Sequence, residues 1–395
     1  MPEGLILGIE SSCDETSAAV VRRGREVLAN VVASQMVHAD YGGVVPELAS
    51  REHLRAIVPV VREAMRQAQV GYDDLEAVAV TEGPGLAGAL LVGITFAKAL
   101  AYGSERPLIA VNHLEGHIHA VLMEAETALA EAAPILALVV SGGHTHVYLA
   151  DRMEEGTWTY RNVGKTLDDA AGEAYDKAAK ILGLPYPGGP WMDALAKYGD
   201  PTAVPFSFAQ IKTKASGRTA AKLKREPVEA GPGSQRFDLS FSGIKTAVRR
   251  YVEMNGMRAR ACQREIALRD AGLFTAKAGD ANALQLARGM LDPDTLNLIA
   301  SFQASVTRYL VRTTMAAAEH FDVQAVVVSG GVAANRELRE RMTAAAQRRG
   351  LRVGFPSIAL STDNAAMIAA AAWPKLVARQ FADEALEPTP QLRLG

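Results

Sequence analysis

Hydrophobic and polar positions alternate in three short segments at the start of the chain. Residues 5–10, 17–23 and 26–35 are apolar or alternate with polar residues, and a polar turn separates the first two segments. This succession predicts a meander of three β-strands. Apolar residues then recur at helical spacing, at Leu54, Ile57, Val58, Val61 and Met65. They predict a helix that starts at Pro46 and is kinked at Pro59.

The rest of the first half alternates between strand and helix patterns. Strands are predicted at 77–81 and 107–111, a helix at 86–102, and a further helix after the second of these strands. The resulting order is β-β-β-α-β-α-β-α. Such alternation favours a mixed sheet covered by helices, and therefore an α/β fold.

The second half repeats this order. Strands are predicted at 135–141, 145–150, 157–164, 325–329 and 352–356, and helices at 166–182, 335–347 and 363–378. We therefore predict a duplicated architecture, with a first lobe of residues 1–130 plus 361–395 and a second lobe of residues 131–360. Two polar stretches, 203–236 and 253–291, do not fit the repeat. We expect both to be insertions that form loops or short helices on the surface.

Composition restricts the class of protein. The chain has 395 residues, of which 49% are apolar and 22% charged, in the range of soluble globular proteins of two or three domains. A net charge of −2 excludes a globally basic nucleic-acid binder but leaves a local basic patch open. Two cysteines cannot build a disulfide framework. With no apolar run of about 20 residues and no signal-peptide pattern, we expect a cytoplasmic protein without a membrane span.

Histidines are concentrated in one region, since five of the eight lie between His113 and His146. In H-L-E-G-H, His113 and His117 are four residues apart, so on a helix both imidazoles project from one face, as two ligands of a divalent metal would. An ordinary exposed helix start is the alternative. A zinc-protease reading is weak because Leu114, and not a glutamate, follows the first histidine. Asp363 is either the N-cap of a helix or a carboxylate that completes this metal site.

Two glycine turns follow strands that read as buried. The first is V-V-S-G-G at residues 139–143, and the second is V-S-G-G-V at 328–332, which leads to Asn335 at the start of a helix. Backbone N–H groups of such turns can approach phosphate oxygens closely, although tight-turn geometry alone explains either turn.

Acidic residues lie at three further places. Asp14 and Glu15 stand in the turn between the first two strands, where they either form the turn or organise a metal, water or amine. Asp168, Asp169, Glu173 and Asp176 are predicted to form one acidic face of the 166–182 helix. The turn Y-P-G-G-P would bring Gly189 and Asp193 near a ligand, or simply reverse the chain.

Ten motifs then occur in order along the chain. They are G-I-E-S-S-C-D-E-T, G-G-V-V-P-E-L-A-S-R-E-H, G-P-G-L-A-G-A-L-L-V-G, H-L-E-G-H, V-S-G-G-H-T, D-D-A-A-G-E-A-Y-D-K, Y-P-G-G-P, L-S-F-S-G-I-K-T-A, S-G-G-V-A-A-N and S-T-D-N-A-A-M. Together they closely resemble the universal tRNA N6-adenosine threonylcarbamoyltransferase family, once described as O-sialoglycoprotein endopeptidases. The resemblance covers nearly the whole chain except the two insertions.

The resemblance implies a two-lobed fold of the actin-like, hexokinase-like ATPase superfamily. It also implies transfer of a threonylcarbamoyl group from threonylcarbamoyl-adenylate to N6 of adenosine 37, with release of AMP, in tRNAs that read codons beginning with adenine. One divalent metal per subunit is implied, iron(II) or alternatively zinc, on His113, His117 and Asp363. The residues implied to hold the adenylate are Val139, Val140, Ser141, Gly142, Gly143, Asp176, Gly189, Asp193 and Asn335.

Asp14 or Glu15 is our candidate for accepting the amine proton. The Lys/Arg-rich stretch 203–236 is a candidate tRNA contact, with a solvated loop as the alternative. Family members in bacteria work with an inactive paralogue of the same fold and a small P-loop ATPase, which we expect as partners here. A same-fold kinase would not require the metal set, and a non-catalytic scaffold paralogue would be expected to lack it.

Overall fold

The computed structural model describes residues 3–41, 43–126, 129, 131–206 and 236–395. Its first sheet contains β1 (Leu5–Glu10), β2 (Glu15–Arg22), β3 (Glu26–Ser34), β4 (Ala77–Gly83) and β5 (Leu108–Asn112). The strand order is β3-β2-β1-β4-β5, with an antiparallel meander on one side and parallel pairs of β4 with β1 and β5 on the other. The predicted meander and the mixed sheet are confirmed.

The second sheet repeats the first strand for strand. It contains β6 (Ile135–Val140), β7 (Thr145–Arg152), β8 (Trp158–Lys165), β9 (Ala325–Ser329) and β10 (Arg352–Gly354). Its order is β8-β7-β6-β9-β10, and β9 is parallel to both β6 and β10. Counted from the start of each half, both sheets therefore have the order 3-2-1-4-5. This common order confirms the duplicated α/β architecture with its two sheets, while the exact lobe boundaries stay a prediction.

The helices of the described residues connect and cover these sheets. They are α1 (Pro46–Ala68), α2 (Ala87–Gly103), α3 (His113–Leu122), α4 (Ala171–Ile181), α5 (Gly188–Ala196), α6 (Ser242–Met254), α7 (Arg258–Asp270), α8 (Ala281–Gly289), α9 (Pro293–His320), α10 (Arg336–Gln347) and α11 (Ala365–Val377). Helix α1 is continuous through Pro59.

Packing on the first sheet differs between its two faces. Helices α1 and α2 cover one face with larger apolar side chains such as Ile57 and Ile94. On the other face, the alanine-rich α11 comes so close that a Cβ at Gly8 would lie 2.3 Å from the carbonyl oxygen of Ala365. This close approach requires glycine in the strand and small residues in the helix. It fixes the start of α11, and with it the preceding Asp363, against β1.

Helix α3 lies between the two sheets, and all its residues are buried. Its Ile118 and Val121 share a core with Ala137 of β6 and Val327 of β9. The helix also packs against α11, which covers the first sheet. The element that carries the two predicted metal-binding histidines is therefore held by both halves of the molecule.

Two predicted helices begin later than the sequence pattern indicated. The helix predicted at 166–182 begins at Ala171, because Asp168 instead accepts hydrogen bonds from the backbone N–H groups of Phe241 (2.7 Å) and Ser242 (3.1 Å) at the start of α6. Asp168 and Asp169 therefore do not belong to an acidic face of α4. The helix predicted at 363–378 begins at Ala365, and its N-cap is Asn364. The alternative in which Asp363 is an N-cap is therefore wrong.

The stretch 253–291, predicted to be an insertion of loops or short helices on the surface, forms short helices with mostly exposed residues, and its being an insertion stays a prediction. The stretch forms the end of α6, then α7 and α8, and the side chains of Leu268 and Ala287 are fully buried in the core of the second sheet's half. Arg264 is buried as well, and donates to the carbonyl of Leu182 and the carboxylate of Asp292. Widely spaced apolar residues inside a charged stretch had concealed an amphipathic structure. The other insertion, 203–236, lies outside the described residues from 207 to 235.

Candidate metal centre and ligand cleft

Three side chains from distant parts of the chain meet at the carboxyl edge of the first sheet. His113 begins α3 directly after β5, His117 lies one turn further on, and Asp363 immediately precedes the N-cap of α11. Oδ1 of Asp363 lies 3.6 Å from Nε2 of His113 and 3.1 Å from Nε2 of His117. One ligand atom from each residue falls within 4.8 Å of the others. The structure thus brings together the three residues predicted to bind a metal.

The donor set fits a divalent metal. The side chain of His117 is fully buried; its Nδ1 has no hydrogen-bond partner, and its Nε2 faces only the carboxylate of Asp363, at 3.1 Å. A buried imidazole with so few partners is costly, and a metal ion bound through Nε2 would remove part of that cost. Two imidazole nitrogens and one carboxylate oxygen match the ligands of zinc and of non-haem iron sites. The triad could therefore hold a divalent metal.

Charge in this cluster is balanced between the histidines and the carboxylates. Although burial opposes it, the charge of Asp363 and then that of Glu10 raise the pKa of His113 to about 9. Burial likewise opposes ionisation of Asp363, but the charge of His113 and a hydrogen bond from His117 hold its pKa below the ordinary value. In the metal-free protein a proton on His113 thus occupies the position that a cation would take.

Glu10 is a component of this cluster that the sequence analysis missed. It is the last residue of β1 and is fully buried, with Oε2 3.0 Å from Nδ1 of His113. The hydroxyl of Thr81 donates to the same oxygen at 2.7 Å, and the backbone N–H of Ser12 donates to Oε1 at 2.5 Å. The signal in the sequence was a single charge at the end of an otherwise apolar strand.

The first glycine turn lies directly beside the triad. The turn is closed by hydrogen bonds from the N–H of Ser141 to the carbonyl of His144 (2.7 Å) and from the N–H of His144 to Oγ of Ser141 (3.1 Å). Gly142 and Gly143 are exposed, and a Cβ on either would meet nothing within 4 Å. The ring of His144 lies 6.2 Å from that of His113, centroid to centroid. The exposed backbone of Gly142 and Gly143 is therefore in the turn that lies next to the triad.

Val139 and Val140, also predicted to contact the ligand, point into the core. Both side chains are completely buried, and β6 pairs with β7 and β9 on its two sides. Their side chains are therefore turned away from the cleft, and a contact of their backbone with the ligand stays a prediction.

The second glycine turn packs against the first. Gly330 has φ +89°, and a Cβ there would lie 2.4 Å from the carbonyl oxygen of Val140. Because β6 and β9 are parallel neighbours, their carboxyl ends meet at one edge of the sheet. Ligand sites of open α/β sheets lie at such edges. The structure thus brings the two predicted turns together.

Asp176, in α4, packs against the start of α5. Its Oδ1 accepts a hydrogen bond from the N–H of Gly188 at 2.7 Å, and the N–H of Gly189 also contributes to holding the carboxylate. Burial raises the pKa of Asp176 to about 6, and the charge of Asp14 across the cleft contributes to the increase. The predicted pair Asp176 and Gly189 is therefore in contact.

Asp193 and Asn335 are joined through a residue that the sequence analysis did not identify. Nε2 of Gln303, in the middle of α9, donates to Oδ1 of Asp193 at 3.2 Å, and its Oε1 accepts from Nδ2 of Asn335 at 2.8 Å. Asn335 also caps α10 by accepting from the N–H of Leu338 at 2.9 Å. Burial raises the pKa of Asp193. No local pattern marked Gln303, because its partners come from two other helices.

The turn that carries Asp14 and Glu15 is held by His53 of α1. One nitrogen of His53 lies 2.9 Å from the carbonyl oxygen of Cys13, and the other lies 2.8 Å from the hydroxyl of Thr16. Burial raises the pKa of Glu15 well above its usual range, and the negative charges of Asp14 and Asp363 raise it further. Glu15 is therefore close enough to the triad to respond to its charge.

Fold and site together define the class: a two-lobed α/β enzyme whose cleft combines a metal-capable triad with open glycine turns. The profile of one family, tRNA N6-adenosine threonylcarbamoyltransferase, matches residues 26–370. The chain belongs to this family. The tRNA N6-adenosine threonylcarbamoyltransferase of Koribacter versatilis (strain Ellin345) is 55% identical, with 100% of each chain covered. That of Symbiobacterium thermophilum is 47% identical, with 100% of this chain and 98% of the relative covered.

These relatives confirm the enzyme class predicted from the sequence, a transferase that modifies tRNA. Among solved structures, component A of the (R)-2-hydroxyglutaryl-CoA dehydratase of Acidaminococcus fermentans covers 94% of this chain and 98% of its own at 14% identity and a TM-score of 0.44. That distant likeness says nothing about activity. Among the described helices, none has the length and apolar character that a membrane crossing requires.

Proposed function

We propose that the chain transfers the threonylcarbamoyl group of threonylcarbamoyl-AMP to N6 of adenosine 37, in cytoplasmic tRNAs that read codons beginning with adenine. The main observation in support is that the ring centroids of His113 and His144 lie 6.2 Å apart, so the metal-capable triad and the first glycine turn are neighbours. An acyl donor with an anionic leaving group needs both features in one cleft. Full-length relatives with this name support the same activity.

In this reaction the lone pair of N6 attacks the carbamoyl carbon. The bond from that carbon to the bridging phosphate oxygen breaks, and AMP leaves with the electron pair. The N6 proton passes to the carboxylate of Asp14 or Glu15, our candidates for the acceptor. Burial raises the pKa of Glu15, so its ionised carboxylate binds a proton more tightly than an exposed one.

The adenylate-binding residues form two groups in this proposal. The exposed N–H groups at Gly142 and Gly143 stabilise charge on the leaving phosphate. Asp176 with Gly189, and Asp193 with Asn335, hold the nucleoside, and Gln303 fixes the second pair.

His113, His117 and Asp363 would hold one divalent metal per subunit, iron(II) or alternatively zinc. When bound, that ion would act as a Lewis acid toward the donor. The residues around it keep the triad dry and oriented, since the side chains of both histidines are almost completely buried.

Partners of the same pathway are also proposed: an inactive paralogue of the same fold and a small P-loop ATPase. The neighbouring helices α1 and α2 expose Leu54 (66%), Val58 (39%) and Leu91 (53%), which supports a protein contact on this face. The tRNA contact of residues 203–236 stays a proposal, and Arg236, its described end, is paired with Asp238 at 2.8 Å. The substitution Leu54→Asp should abolish co-purification with the paralogue while leaving metal content unchanged.

The activity is tested by single-turnover transfer from synthetic threonylcarbamoyl-AMP to unmodified tRNA, read by nucleoside mass spectrometry. We expect product from the wild type and none from His113→Ala, with metal content measured in each. The matched control is His119→Gln, a buried histidine on the same helix that contacts Tyr160 and lies outside the triad. Equal product from wild type and His113→Ala would remove the metal assignment. ATP consumption with a small hydroxylated acceptor, and no tRNA product, would favour a kinase instead.

A further inference from the structure

Glu10 is a fully buried carboxylate with no contact to solvent. A buried charge is retained only where close partners compensate for its lost hydration. Here those partners are the ring of His113 at 3.0 Å, the hydroxyl of Thr81 at 2.7 Å and the backbone N–H of Ser12 at 2.5 Å. Thr81 lies in β4, His113 begins α3 and Ser12 lies just after β1, so three different segments hold the carboxylate of Glu10.

Glu10 contacts one particular nitrogen of the His113 ring. Glu10 approaches Nδ1, whereas the nitrogen that faces Asp363 is Nε2. An ionised carboxylate is an acceptor only, so Nδ1 must carry the proton in this contact. When the ring loses its second proton to bind a metal, its lone pair then lies on Nε2, on the side of the triad.

His117 provides a contrast within the same triad. Its Nδ1 is buried and has no partner. Only one of the two histidines is therefore held through the nitrogen that points away from the triad. The orientation of the two imidazole rings in the triad therefore depends on the groups that hold His113.

We propose that Glu10 is a positioning residue, which holds the Nδ1–H of His113 and so keeps Nε2 of that ring aimed at the metal. This inference rests on the metal of the proposed function. Metal-bound imidazoles commonly donate their second N–H to a carboxylate, and loss of that carboxylate typically lowers metal affinity 10- to 100-fold. Glu10 acts on the ion only through His113.

The test is the zinc affinity of metal-free Glu10→Gln, measured by competition with a chromogenic chelator. We expect binding about 10- to 100-fold weaker than in the wild type. Glutamine keeps the shape of the side chain but replaces one acceptor oxygen with an N–H₂ donor. The matched control is Glu115→Gln, another buried glutamate, on α3, whose partners are Lys375 at 2.8 Å and Tyr160. Its zinc affinity should stay within about twofold of the wild type, since it does not contact the triad.

Thermal unfolding of each metal-free protein separates weaker binding from poorer folding. If Glu10→Gln does not fold, Thr81→Val replaces it, because valine removes only the hydroxyl that holds Oε2 of Glu10. If the variant that folds binds zinc as tightly as the wild type, the proposed role of Glu10 is wrong, although the metal site itself would stand. The same conclusion follows if Glu115→Gln loses as much zinc affinity as that variant. A wild-type protein that takes up neither zinc nor iron(II) would instead overturn the proposed metal.

Discussion

The carboxylate of Asp176 is expected to reduce the stability of the folded protein at neutral pH. Burial is the main cause that raises its pKa from 3.8 to about 6. Each pKa unit corresponds to about 1.4 kcal/mol, so the ionised group disfavours folding by about 3 kcal/mol. The folded state keeps this proton to a higher pH than the unfolded state. Stability is therefore lost as the pH rises from about 4 to above 6.

The substitution Asp176→Asn removes this titration and keeps an acceptor for the N–H of Gly188. We expect the unfolding free energy of the variant, relative to the wild type, to increase by about 2 to 3 kcal/mol between pH 4 and pH 8. Urea unfolding of the metal-free, ligand-free proteins across this range measures the difference. The affinity of the variant for threonylcarbamoyl-AMP should fall, because the proposed contact of Asp176 with the nucleoside is lost.

A control of opposite sign is provided by Asp200. Its carboxylate is exposed, and hydrogen bonds from the hydroxyl and N–H of Thr202 hold its pKa below the ordinary value. For Asp200→Asn the relative stability should therefore fall, not rise, as the pH increases. A stability gap for Asp176→Asn that is constant with pH, or that shrinks toward pH 8, would refute the reasoning.

Two further predictions concern the frame of the cleft. Arg264→Ala should lower the unfolding free energy by about 3 kcal/mol in urea titrations, because it leaves the buried carbonyl and carboxylate partners of that guanidinium unpaired. Arg249→Ala, which removes an exposed pair with Glu253, should change it by less than about 0.5 kcal/mol, and similar losses in both would contradict the argument. Gly330→Ala should cost more than about 1 kcal/mol and slow transfer, since φ is +89° and the new Cβ would meet backbone at 2.4 Å. Gly331→Ala, where nothing lies within 4 Å, is its control, and equal effects would show that the close approach is irrelevant.

The repeated strand order could be predicted because it depends on local patterns. Alternation and apolar runs fix where strands lie, and the same succession at residues 5 and 135 revealed the duplication. Helix starts were less certain, since they depend on which polar residue caps the helix. Neighbouring residues such as Asp363 and Asn364 are equivalent candidates in a sequence, and only the packing of α11 on the sheet separates them.

The candidate site was predictable where its signal was local. His113 and His117 share one helix face by spacing alone, and the glycine pairs follow apolar strands. Glu10 and Gln303 were missed because their roles depend on partners that are distant in the chain, 103 residues away for the contact of Glu10 with His113. The few buried residues of α7 and α8 were missed for a related reason, since a charged surface segment can still bury a narrow apolar stripe.

Helix α3 couples the geometry of the candidate site to the relative position of the two sheets. Its buried residues pack against β6 and β9 on one side and against α11 on the other. A rotation of one sheet against the other must therefore carry the helix along or break its contacts with one side. Either motion changes the spacing between the imidazoles and Asp363, or between the imidazoles and the glycine turns. Substitutions that alter packing at Val121 or Val327, which contact no proposed substrate, would then change turnover, because they would misalign the metal-capable triad and the glycine turns.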